Sequence, residues 1–167
     1  MKKMFIREPL WFVIAMAIPV VTGLISAVLT KTAMVQYASF RKPPLSPPGW
    51  LFPVVWTILY LMMGLASYYI IMSDADGIQK ADALFIYGLQ LVFNFVWSIL
   101  FFNYGSYLLA FAWLMVMWVL EIAAAVLFYR IMTGAGLLLI PYILWTAFAA
   151  YLNLATYIMS RTPAPLA

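Results

Sequence analysis

KPPLSPPGWLFPVVWTILYLMMGLASYYIIM (42–72) decides the fold of this chain. From Leu51 to Met72 it carries no charged side chain. A helix of about 20 such residues crosses the hydrocarbon core of a bilayer. The approach to that run is stiff: five of the chain's ten prolines fall between positions 43 and 53. Pro53 belongs to the first helical turn, where a missing N–H costs little. A connector between membrane helices needs only a few polar residues. This one restricts the backbone just before it delivers Trp56 and Tyr60.

Working outward, four more stretches meet the same length requirement, at about Pro9–Leu29, Ala83–Phe102, Tyr107–Phe128 and Gly136–Met159. Short turns separate the last four spans: SDADGIQKAD (73–82), NYGS (103–106) and YRIMTGAG (129–136). Such short links force neighbouring helices to run antiparallel. The chain of 167 residues is therefore read as one all-α integral membrane bundle of five transmembrane helices. Composition agrees, with 68% hydrophobic and 8% charged residues, against about 25% charged in soluble domains. The first apolar run is too long for a signal core and lacks a small-residue cleavage site, so it is expected to stay. The tail RTPAPLA (161–167) is expected to lack regular structure.

The net charge of +4 is spread over ends and loops. That pattern suits a membrane flank and excludes a nucleic-acid footprint. Lys2, Lys3, Arg7, Lys80 and Arg130 fall on the N-terminal side, and Lys31, Arg41, Lys42 and Arg161 on the other. This split is too even to set an orientation. Cysteine and histidine are absent, which removes disulfides, Cys/His metal sites, His-ligated haem and Ser-His-Asp chemistry.

In lipid, polar and small residues mark the packed faces, because aliphatic residues can face outward at no cost. At helical spacing three faces emerge: Trp56, Tyr60, Met63 and Ser67; Gln90, Asn94, Trp97, Ser98 and Phe101; and Tyr142, Trp145, Ala149 and Asn153. Bundle packing explains any one of them alone. Three together, if they converge, line an uncharged aromatic cavity suited to a large, flat, mostly apolar ligand. Glu121 is the one acidic residue well inside a span, and is expected to bond to a neighbouring helix or to serve a ligand. Gly23 and Ala27, like Ala123–Ala125, offer smooth surface for a helix seam or a dimer face. Pro141 is expected to kink the fifth helix.

KPPLSPPGWLFPVVWTILYLMMG (42–64), LQLVFNFVWSILFF (89–102) and LLIPYILWTAFAAYLN (138–153) resemble, in order, the three signature regions of the translocator protein family. That family is also known as TspO/MBR, the tryptophan-rich sensory proteins or the peripheral-type benzodiazepine receptors. The resemblance covers nearly the whole chain. It implies a five-helix bundle, usually a homodimer, in a bacterial cell membrane for a chain like this one. It further implies a pocket near one end, covered by the connector 30–50. The implied ligand is a porphyrin of the protoporphyrin IX kind, with no obligatory cofactor and no metal, for tetrapyrrole sensing, transport or stress regulation. Alternatives are light-dependent porphyrin degradation, and a transporter or interaction scaffold. The implied ligand-binding residues are Tyr37, Trp56, Tyr60, Asn94, Trp97, Trp145 and Ala149, and Trp56 and Trp145 would be catalytic if degradation occurs. Two departures stand out: Gln36 replaces the family's loop tryptophan, and Trp113 replaces an acidic residue common in helix four, with Glu121 two turns on as its stand-in. The pattern Leu154, Tyr157, Arg161 resembles a cholesterol motif that is weak by itself.

Overall fold

The computed structural model describes residues 8–32, 35 and 43–161. Tyr37, Gln36, Arg41 and Lys42 lie outside the described residues. Along the described residues the α-helices α1 (Pro9–Leu29), α2 (Leu51–Ile71), α3 (Gly77–Ser98), α4 (Tyr107–Ile131), α5 (Thr133–Leu137) and α6 (Ile140–Arg161) follow in order. A π-helical turn, Ile99–Asn103, continues α3. With that turn, and with α5 and α6 taken as one span, five segments among the described residues are long and apolar enough to cross a membrane. No strand occurs among the described residues.

Helix ends follow capping chemistry more closely than the apolar runs do. α3 starts at Gly77, ahead of its apolar run, because Asp76 caps it and accepts from the Ile78 N–H at 2.9 Å. Lys80 reaches back and donates to the carbonyls of Ser73 (2.9 Å) and Ile71 (3.4 Å), closing the end of α2. Pro141 does not kink a continuous helix. It stands in the first turn of α6, and the turn at Leu138–Leu139 divides the fifth span before it. A proline there gives up only an N–H that the helix start would leave unpaired. Inside α1, Pro19 has no N–H to offer the carbonyl of Ala15. At that level α1 meets α2 through Gly64, where an added Cβ would lie 2.8 Å from Met16 Cα and 3.0 Å from the Ala15 oxygen.

α1 packs against α2 and α3, α3 against α4, and α4 against α6. Aromatic contacts from Trp56 and Phe52 carry α2 to α6 and close the ring. One core group gathers Met63, Ile70, Tyr87 and Phe128 toward the end holding the α2–α3 turn. A second gathers Trp97, Phe101, Leu114, Met117 and Ala149 toward the other end. The stretch Pro43–Trp50 lies over that second end. It is fixed by a turn in which Ser46 donates its N–H and hydroxyl to the Pro43 carbonyl (3.2 and 2.7 Å). Tyr151 of α6 adds a hydrogen bond from its hydroxyl to the Pro44 carbonyl at 2.9 Å.

Candidate functional site

Polar side chains buried between helices must find partners, since a lipid-embedded bundle offers no water to the ones left over. Those of α2, α3 and α6 find each other. Tyr60 donates its hydroxyl to Asn94 Oδ1 at 2.8 Å. Asn94 Nδ2 donates to the Tyr142 hydroxyl at 3.0 Å, and that hydroxyl donates to Gln90 Oε1 at 2.8 Å. All four residues are buried. One turn nearer the proline-rich end, Trp97 Nε1 donates to Asn153 Oδ1 at 3.1 Å, while Asn153 Nδ2 donates to the Tyr107 carbonyl at 2.8 Å. Four helices, α2, α3, α4 and α6, are thus stitched by two short networks, and the aromatic rings attached to them are held in place.

Between those rings and α1 lies a cavity of about 270 Å³. Its aromatic wall consists of Phe52, Trp56, Tyr60, Trp97 and Phe102. Trp56 stacks on Tyr60 with centroids 5.5 Å apart, and Trp97 meets Phe102 edge to face at 6.3 Å. The opposite wall is one face of α1 and the residues just past its end: Gly23, Ser26 and Ala27 on the helix, then Thr30 and Lys31, spaced by threes and fours. Gly23 is required there, because a Cβ would strike the Tyr60 ring. The Gly23–Ala27 pair is therefore an inner wall within one chain. The π turn at Ile99–Asn103 sets the last part of the wall, where Phe101 and Phe102 crowd each other at 4.8 Å and both reach Trp97. Such turns recur at functional sites.

A smaller lobe of about 40 Å³ lies beyond Phe52, Trp97 and Phe102, which border both spaces. Pro43 and Ser46 cover it, and Ala149 and Asn153 of α6 form its floor. The residues singled out from sequence are thus distributed unevenly. Trp56, Tyr60 and Trp97 line the main cavity, and Trp97 and Ala149 line the small lobe. Asn94 stands behind the wall and holds Tyr60. Trp145 lines neither space. It faces an outer groove between α2 and α6, with Val55, Leu144 and Phe148, and touches Phe52 at 5.9 Å. Thr146, not Trp145, points inward with Tyr142, Ala149 and Asn153.

Glu121 is buried and receives the Thr146 hydroxyl at 2.5 Å, so it bonds to the neighbouring helix α6. Its second oxygen has no hydrogen-bond partner among the described residues, and it borders neither lobe. Trp113, at the position where an acidic residue was expected from the resemblance, stacks on Phe93 at 4.3 Å and donates Nε1 to the Phe93 carbonyl at 2.9 Å. It fastens α4 to α3 outside the cavity. Arg161 bonds to the Tyr157 hydroxyl at 2.8 Å on the end of α6, likewise away from the main cavity.

Phe52, Ser26, Thr30 and Lys31 belong to the cavity without having been marked in the sequence. For α1 the available signal was a helical stripe of small and hydroxyl residues at positions 23, 26, 27 and 30. The sequence profile of the TspO/MBR family matches residues 15–159. Among curated proteins, the tryptophan-rich protein TspO of Chlorobaculum tepidum is 36% identical over 74% of this chain and 78% of its own. The tryptophan-rich sensory protein of Cereibacter sphaeroides is 38% identical over 70% and 72%, respectively. The translocator protein of Ovis aries is 38% identical over 70% of both chains.

Proposed function

The chain belongs to the TspO/MBR family, and from that premise we propose that it binds a tetrapyrrole of the protoporphyrin class for sensing or handling such pigments. The carrying observation is the cavity walled by Phe52, Trp56, Tyr60, Trp97 and Phe102 and backed by hydroxyls of α1. Flat rings gain area and quadrupole contacts there, and a few polar atoms orient them. At about 270 Å³ the main cavity is below the usual pocket range of roughly 300–1,000 Å³. A macrocycle needs both lobes, which share Phe52, Trp97 and Phe102 as their border, with Trp97 tethered through Asn153. The homodimer implied by the resemblance belongs to the same proposal, and mass measurement in detergent tests it.

Titration of the purified protein with protoporphyrin IX, followed by tryptophan quenching, tests the binding. Trp97→Ala and Trp56→Ala should each weaken affinity roughly three- to tenfold, since an aromatic pair contributes about 0.5–1.5 kcal/mol beyond area burial. Ala149→Phe, which fills the small lobe, should weaken it further. Absence of saturable binding, or an unchanged affinity in all three variants, would sink the proposal. A bilin-like absorbance appearing only under illumination would instead identify turnover.

A further inference from the structure

We infer that Lys31 is an anion-reading residue at the mouth of the main cavity, which therefore selects amphipathic ligands carrying a carboxylate beside a flat apolar body. This deepens the tetrapyrrole proposal and rests on it only for the identity of the ring system. Among the described residues Lys31 is the one charged side chain bordering the cavity. It is exposed and makes no hydrogen bond or ion pair among the described residues.

Lys80 shows what a lysine near a helix end does when its role is structural: it donates to two carbonyls at the end of α2. Lys31 follows the end of α1, where two carbonyls are served by other side chains and backbone. Asn103 Nδ2 donates to the Leu29 carbonyl at 3.1 Å, and Thr30 donates its N–H (2.9 Å) and hydroxyl (2.8 Å) to the Ser26 carbonyl. The Lys31 ammonium takes no part in that cap among the described residues. Ser26, whose hydroxyl makes no hydrogen bond among the described residues, borders the same space and offers a second donor beside it.

The distribution of charge along the chain points the same way. Following the helices from end to end, Glu8, Asp74, Asp76 and Asp82 all belong to the end where α1 starts, and Glu121 is buried in mid-span. The sequence between α1 and α2 and the ends of α3 and α6 supply Lys31, Arg41, Lys42 and Arg161 with no acidic residue. An end of single sign concentrates anions, and no internal carboxylate competes for Lys31 there. Its ammonium, beside low-dielectric aromatic walls, forms a charge-assisted hydrogen bond with an arriving carboxylate.

The test uses two matched pairs: protoporphyrin IX with its dimethyl ester, and 1-pyrenebutyrate with its methyl ester. Each is titrated into the full chain in dodecyl maltoside without phospholipid, with quenching of tryptophan fluorescence as readout. The acid should bind about tenfold more tightly than its ester, as expected for one charge-assisted bond. Lys31→Gln should remove the preference, Lys31→Arg should keep most of it, and ester affinity should not move. Added phosphatidylglycerol should compete with the acids only in chains that retain the cation. If the pyrene acid is preferred through Lys31 while neither porphyrin binds, the inference stands and the tetrapyrrole proposal falls. Equal affinities within the pairs, an acid preference that survives Lys31→Gln, or no saturable binding by either pair overturns it. A preference for phosphatidylglycerol with none for the acids assigns Lys31 to the lipid headgroup and likewise overturns it.

Discussion

Substituting leucine for Asn94 takes out the centre of the network that joins α2, α3 and α6. Two hydrogen bonds go with it, from Tyr60 at 2.8 Å and to Tyr142 at 3.0 Å. The two partners are hurt differently. Tyr142 keeps Gln90 as acceptor at 2.8 Å, so it loses only what it received. Tyr60 keeps nothing, and its buried hydroxyl becomes an orphan donor. An orphaned buried group costs about 1–3 kcal/mol, and an interhelical bond in a membrane protein contributes about 0.6 kcal/mol. Asn94→Leu should therefore cost about 2 kcal/mol. Tyr60→Phe should cost about 1 kcal/mol, since it leaves only the Asn94 carbonyl oxygen unpaired.

The decisive quantity is the double variant. With both polar groups gone no orphan remains, so the pair should cost less than the sum of the singles, by about 0.5–2 kcal/mol. Reversible unfolding in mixed dodecyl maltoside and dodecyl sulfate micelles, followed by far-ultraviolet circular dichroism, measures all three. Protoporphyrin affinity is read in parallel and should fall in each variant, because the Tyr60 ring forms cavity wall. Additivity within about 0.3 kcal/mol would refute the claim that Asn94 acts by holding Tyr60.

Gly23→Val should weaken porphyrin binding at least about tenfold and cost about 1–3 kcal/mol of stability, because its Cβ meets a Tyr60 ring that Asn94 prevents from swinging aside; quenching titration and unfolding check the two parts. Gly64→Ala should cost a similar amount, about 1–3 kcal/mol, yet leave relative ligand preferences unchanged, since its clash is with Met16 Cα and the Ala15 carbonyl away from the cavity. Glu121→Leu should leave stability within about 1 kcal/mol of the parent or raise it, because one carboxyl oxygen has no hydrogen-bond partner among the described residues and Thr146 has the Tyr142 carbonyl at 3.0 Å as a second acceptor. A loss of more than about 2 kcal/mol on unfolding would show that the carboxyl does more than bond Thr146.

The helices and the inner faces of α2 and α3 were legible because the bilayer makes the rules strict. Asn94, Gln90 and Asn153 have side chains that lipid cannot satisfy, so their faces had to turn inward, and they do. Trp145 shows where that logic weakens. An indole has a large apolar body and is comfortable on either side of a helix, so its presence did not fix the register of α6. The fully buried side chains of α6 are Tyr142, Thr146 and Asn153, and Trp145 lies to one side of that line. The α1 wall was hidden for a different reason. Thr30 satisfies its hydroxyl on its own helix, at the Ser26 carbonyl, and Thr22 does the same at the Ile18 carbonyl. Such residues carry no obligation to face a partner, so spacing alone could not separate cavity wall from helix surface. The π turn after Ser98 has no signal in ILFFN, because it answers to the packing of Phe101 and Phe102 on Trp97.

Tethering through buried amides organises the cavity itself. Tyr60 and Trp97 are anchored through Asn94 and Asn153 to other helices, so they present surfaces whose position the bundle dictates. Phe52 and Phe102 stand on the border of both lobes, Phe52 against Trp145 and Phe102 against Trp97 and Phe101. Walls positioned in this way supply stacking surface without an ordering cost. The stiff approach Pro43–Trp50 completes the arrangement, because it closes the small lobe through Pro43 and Ser46 while Tyr151 fastens it to α6. Breaking that single bond with Tyr151→Phe should speed ligand release more than it changes the equilibrium structure of the helices.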